Sequence, residues 1–201
     1  FDMGPYTLRI YGTHTTNATG ALNASDPAAK LHYNGVAPQT VTGTMVANYT
    51  GGFIANLEVD NQVSLTLPAA QIGSASNNGI LTMTKGALII PNLNPALTLY
   101  GTVNGNPNST LSTTSPFTTT GLYFKGSAGN AGELYLTNYQ AGAPAQTIGT
   151  LDVNITGATP QIKINGNLDI NTSFVLTSGA VNMSNYSVRY LSNTTTPMLP
   201  A

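Results

Sequence analysis

The sequence predicts an all-β chain, an antiparallel β-sandwich with Greek-key or jelly-roll connections and an extended N-terminal strand, on three observations. Apolar and polar residues alternate with a period of two through most of the 201 residues, as they do in strands with one buried face. No stretch of useful length carries the 3.6-residue period of an amphipathic helix. Short alternating runs are separated by Gly-, Pro- and Asn-rich punctuation, the pattern of many short strands joined by tight turns.

Taken in order, the first strand covers residues 6–11, where Tyr6, Leu8 and Ile10 share one face and Thr7, Arg9 and Tyr11 the other. Residues 12–30 are small, polar and without strand pattern, a tether that could span up to about 60 Å at 3.3–3.6 Å per extended residue. Strands follow at 40–50, 53–60, 62–67, 80–85 and 97–103, with "YTGGF" supplying glycine for positive φ. Residues 104–120 again lack alternation and are expected to form a long loop or a seam between subdomains. The Gly-rich "GSAGNAG" is expected as a hairpin loop between strands 121–125 and 133–139, ahead of strand 148–156. Asn165-Gly166, the preferred two-residue hairpin turn, separates strands 161–164 and 168–170. Strands at 174–177 and 186–191 complete the set, giving an N-terminal strand and linker over 1–29 and a sandwich body over 30–201.

Composition bounds the function. Only 6% of residues are charged and the net charge is −1, so the chain lacks the electrostatic footprint of a partner for nucleic acid or an anionic membrane. The absence of cysteine excludes disulfides, thiolate metal sites and thiol catalysis. Seven carboxylates and two histidines leave few groups to titrate, which suits an acidic exterior. There is no 18-residue apolar run for a membrane span. A start at Phe1 is what a mature extracellular product has once its signal peptide is removed.

Nine Asn-X-Ser/Thr acceptors for N-linked glycans lie at Asn17, Asn23, Asn48, Asn108, Asn154, Asn171, Asn182, Asn185 and Asn193. Glycans would hydrate a surface that has little charge. Catalytic chemistry is thin: His14 and His32 have no triad order or metal-ligand spacing. Glu58 and Asp60 share a strand face, as a glycosidase pair would, but fit a solvated strand end better. Asn165, Asn167, Asp169 and Asn171 alternate like a calcium loop but lack its glycine and terminal glutamate. No catalytic residue, metal or cofactor other than N-linked glycans is expected.

The C-terminal "NYSVRYL" repeats the rhythm of "YTLRIYG". A tethered amphipathic strand either pairs within its own domain or adds to a neighbour's sheet. The second option makes Tyr6, Leu8 and Ile10 a donor strand, and Tyr186, Val188 and Tyr190 one wall of an acceptor groove. On "PYTLRIYG", the density of glycan acceptors and the Cys-free composition, the chain resembles the archaeal thread pilins, which are similar in architecture to type 1 pilins. That resemblance implies a glycosylated extracellular filament built head to tail from copies of one subunit by donor-strand complementation, with a role in adhesion, cell contact or biofilm formation. The alternative is a secreted carbohydrate-binding β-sandwich with Tyr33, Tyr100, Tyr123 and Tyr135 as an aromatic platform. The donor-strand reading requires that Leu8 and Ile10 not be seated in their own chain.

Overall fold

The structure, a computed structural model, describes residues 1–15, 22–43, 52–113, 119–137 and 145–191. Its strands are β1 (Thr7–Ile10), β2 (His14–Thr15), β3 (Lys30–Tyr33), β4 (Gln39–Thr42), β5 (Asn56–Thr66), β6 (Ala70–Ile72), β7 (Gly79–Ile90) and β8 (Leu97–Asn104) in the N-terminal half. They continue as β9 (Ser109–Thr113), β10 (Gly121–Gly126), β11 (Asn130–Tyr135), β12 (Gln146–Ile155), β13 (Gln161–Asn165), β14 (Leu168–Ser178), β15 (Ala180–Asn182) and β16 (Val188–Tyr190).

Every pairing between these strands is parallel, and the chain winds into a β-solenoid of about seven turns. The antiparallel β-sandwich is therefore incorrect. Thr7 lies beside Lys30, Lys30 beside Asn56, Asn56 beside Ile80 and Ile80 beside Thr102, so each turn returns to the same place after 22 to 26 residues. Three stacks result. The first runs β1, β3, the start of β5 and of β7, the end of β8, then β11, β13 and β15. The second holds β2, β4, the ends of β5 and β7, and β9, and the third holds β6, the start of β8, β10, β12, β14 and β16.

Alternation survives in this architecture because each strand has one face toward the solenoid interior and one toward solvent. What changes is the neighbour. Leu8, Leu31, Leu57, Leu81 and Val103 form one inward column, one residue per turn. Leu65, Leu88, Leu111 and Leu136 form another, and Ile72, Leu99, Phe124 and Val153 a third. Adjacent turns stand about 4.8 Å apart, so like side chains stack in contact. Each buried aliphatic contributes about 1.5–3 kcal/mol.

The expected hairpins fail for one physical reason: the turn residues redirect the chain without reversing it onto its own strand. Gly166 has φ 135°, yet β13 and β14 are not paired with one another and lie in different stacks. The segment from Gly126 to Asn130 likewise carries the chain from β10 in the third stack to β11 in the first. The expected strands 53–60 and 62–67 are one long β5 bent around a corner. Five strands lie where none was expected: β2, β3, β6, β9 and β15. Within residues 104–120, β9 pairs with β7, and its inward residues are Ser109, Leu111 and Thr113, so its buried face does not look apolar. β3 was concealed beside the polar segment that precedes it.

The strand expected to be detachable is a rung of its own solenoid. β1 pairs in register with β3, and Leu8 and Ile10 pack half-buried against the chain's own core. The extended donor strand is corrected with the sandwich that contained it.

Candidate functional site: polar faces and open ends

The outer faces collect the charged residues into pairs that join successive turns. Lys30 lies 3.0 Å from Glu58, Lys125 3.4 Å from Asp152, and Lys163 3.0 Å from Glu133. Arg189 on β16 donates from Nε and Nη2 to the two oxygens of Asp169 on β14, at 2.8 and 2.7 Å. Asp169 is buried, so this bidentate contact holds a carboxylate that would otherwise lack a counter-charge. Its role is to hold a strand, which disposes of the calcium-like reading of residues 165–171. Asn165 donates to Glu133, and Asn167 accepts from the backbone N–H and hydroxyl of Ser187.

Glu58 and Asp60 are brought beside His32 on the outside of the first stack. His32 Nε2 sits 3.8 Å from Glu58 Oε1 and 3.8 Å from Asp60 Oδ2, beyond hydrogen-bond length. Alternation predicted the shared face of the two carboxylates; the parallel register added the histidine, through His32 beside Glu58. Among the described residues no group of three or more His, Cys, Asp or Glu is arranged to hold a metal ion, and no helix is long and apolar enough to cross a membrane.

His14 on β2 accepts or donates at Nδ1 to the Tyr33 hydroxyl across 2.7 Å, with the two rings stacked. Burial pushes the Tyr33 phenol up and holds the His14 imidazole below its ordinary 6.5. A depressed histidine favours its neutral form when folded, so its contribution to stability is complete above pH 6.5 and is lost as pH falls through the lower folded value. Urea midpoints measured at pH 7.5 and pH 5.0 are expected to fall on the acid side, and the His14→Gln variant to show a smaller fall. At Glu133 the hydrogen bond from Lys163 holds the carboxyl below its ordinary 4.5, so that pair weakens only at lower pH.

The glycan acceptors divide by position. Asn108, Asn154, Asn182 and Asn185 are exposed, while Asn23 and Asn171 are half-buried. Asn23 accepts from both the backbone N–H and the hydroxyl of Ser25. Asn17, Asn48 and Asn193 lie outside the described residues, as does "YTGGF" up to Gly51. The aromatic platform does not form: Tyr33 is wholly buried, Tyr123 belongs to the third stack and Tyr135 to the first. A polar groove of about 460 Å³ instead crosses the first stack between Asn104, Asn130, Glu133, Gln161, Lys163 and Asn182. Beside it, Gly105 and Gly132 bring the backbones of two adjacent turns close together, Gly105 against Glu133 and Gly132 against Val103.

The two strands that matched in rhythm lie at opposite ends of the solenoid. At one end Tyr6 is 73% exposed and Phe1 77%, above half-buried Leu8 and Ile10. At the other, β16 covers only Leu168 to Ile170, and Val188 and Tyr190 pack half-buried against the core while Tyr186 is half-buried in the preceding turn. Inner residues elsewhere in the stacks are buried because a turn lies on each side of them; among the described residues, these have a turn on one side only. Comparison with family models, curated proteins and solved structures matches nothing to this chain.

Proposed function

We propose that this chain is a structural, non-enzymatic subunit of an extracellular filament, joined head to tail to copies of itself, carrying N-linked glycans on its outer faces and serving adhesion, cell contact or biofilm formation. One observation carries the reading: among the described residues the solenoid core is open at both ends, with Leu8 and Ile10 half-covered at one and Val181, Met183, Val188 and Tyr190 at the other. Such ends leave strand edges ready to pair, and a like subunit is able to cover both at once. The low charge supports it, since little repulsion opposes close approach of copies. Donor-strand exchange forms no part of the proposal. Electron microscopy of concentrated protein is expected to show fibres of uniform width; a monomer by light scattering at the same concentration overturns the reading.

The polar groove favours a second reading, a carbohydrate-binding surface, because the planar amides and the ion pair that line it suit sugar hydroxyls. Retention of monomeric protein on immobilised polysaccharide, lost in Glu133→Ala, is the expected result on that reading. Passage through the column unretarded removes it.

A further inference from the structure

We propose that copies join by continuing the solenoid itself, with β15 of one copy alongside β1 of the next, Ala180 beside Thr7, and residues 1–3 of the next copy alongside the second half of β14. The inference rests on the filament reading and specifies its interface. Its starting point is the stacking already present. On the outside of the first stack, Gln161 lies beside Ala180 at one end and Thr7 beside Lys30 at the other, so among the described residues Ala180 and Thr7 occupy the last and first places of that stack.

The third stack ends the same way. Ile72, Leu99, Phe124, Val153 and Leu176 follow one another inward. At its other end Ile54 lies beside Ile72, the Ala55 N–H donates to Ala24, and Met3 donates to Asn23. Met3 therefore heads the column that Leu176 closes. Because β16 covers β14 only as far as Ile170 and no described strand lies over the rest, inward Leu176 is left 43% exposed, beside outward-facing Val175 at 41%.

The corner between the two stacks fits as well. Met3 to Leu8 is five residues, and Leu176 to Val181 is also five. Other turns make this corner with different lengths, as in Ile72 to Leu81 and Leu99 to Val103. Equal corners let one copy's first rung lie over another's last rung with both stacks in register, Met3 over Leu176 and Leu8 over Val181. A partner has to offer parallel strands on two faces with that corner, and the opposite end of this chain does so. β1 is short and carries one charge, Arg9, but it has no proline, lysine or bulge within it to prevent pairing along its free edge. Asn182 projects from the outer face of β15, so a glycan there leaves the strand edge free.

The absence of native cysteine makes the test direct. Parallel neighbours about 4.8 Å apart lie within the roughly 4.4–6.8 Å reach of a disulfide. Thr7→Cys combined with Ala180→Cys, oxidised after assembly, is expected to give a ladder of dimers, trimers and longer species on a non-reducing gel. Both positions are exposed, so the substitutions leave the core intact. Arg9→Cys with Asn182→Cys is expected to give the same ladder, and Thr7→Cys with Asn182→Cys is not. Fibres without a ladder in either matched pair overturn the interface while the filament reading stands. A ladder only in the shifted pair, or dimers from Thr7→Cys alone, overturn the register or the polarity. Monomers by microscopy and light scattering overturn both the interface and the filament reading.

Discussion

Gly101→Ala is expected to cost about 4 kcal/mol or to prevent folding, the larger of the two main effects on stability. Gly101 has φ 144°, a conformation that L side chains rarely adopt. A Cβ added there would stand 2.1 Å from the Gly79 carbonyl oxygen and 2.7 Å from the Gly79 nitrogen. Gly79 cannot retreat. A Cβ on it would in turn stand 2.5 Å from the Gly73 nitrogen, because Gly73 and Gly79 of one turn and Gly101 of the next place bare backbone against bare backbone at this corner. Movement at Gly101 therefore propagates along the solenoid, whose turns are stabilised chiefly by their neighbours. Gly12→Ala is the control: nothing lies within 4 Å of its added Cβ. Its urea midpoint is expected to match that of the parent, while Gly101→Ala loses most of the transition. Equal midpoints for the two variants would refute the close backbone packing.

Gln39→Ala is expected to cost about 3 kcal/mol. Gln39 is 2% exposed at the head of the column that continues through Leu65 and Leu88. Its amide donates to the carbonyls of Ile10 and Gly12, both at 2.9 Å, and its oxygen accepts from Asn61 at 2.8 Å. Alanine leaves those two carbonyls without this donor, and a buried group stripped of its partner costs about 1–3 kcal/mol. The void left by the shortened side chain adds to this. The effect should appear first at the N-terminal end, since the lost contacts tie the exit of β1 to β4. Hydrogen exchange is the measurement: protection is expected to fall in β1 and β3 before it falls in β12 and β14. Uniform loss along the chain would show that Gln39 is not a local tie.

Much of the local structure was legible. The alternation of Leu8 with Arg9 and of Val188 with Arg189 correctly separated inward from outward residues. The repeat that distinguishes a solenoid was present too, in "TLRIYG", "KLHYNG" and "NLEVDN", which begin at residues 7, 30 and 56. It is hard to see because only the inward aliphatics need recur, and the corners vary in length. The likeness between the two ends of the chain was not an instance of that repeat: it joins β1 of the first stack to β16 of the third, while among the described residues the first stack ends in β15. His32 entered the Glu58 and Asp60 group through the winding: only the rung-to-rung register makes it their neighbour.

By itself the sequence determined that the chain is built of strands, which side of most of them faces inward, and that few charges are available to oppose association. Tertiary structure alone decided that the strands run parallel, that Asn-Gly and Gly-rich segments are corners, and that the first and last strands stand at opposite ends of the solenoid, in different stacks. Period-two alternation describes a strand's two faces and is silent about its edges. The identity of the strand at each edge depends on the length and direction of every connection in the turn, a property of the whole winding that no single segment carries.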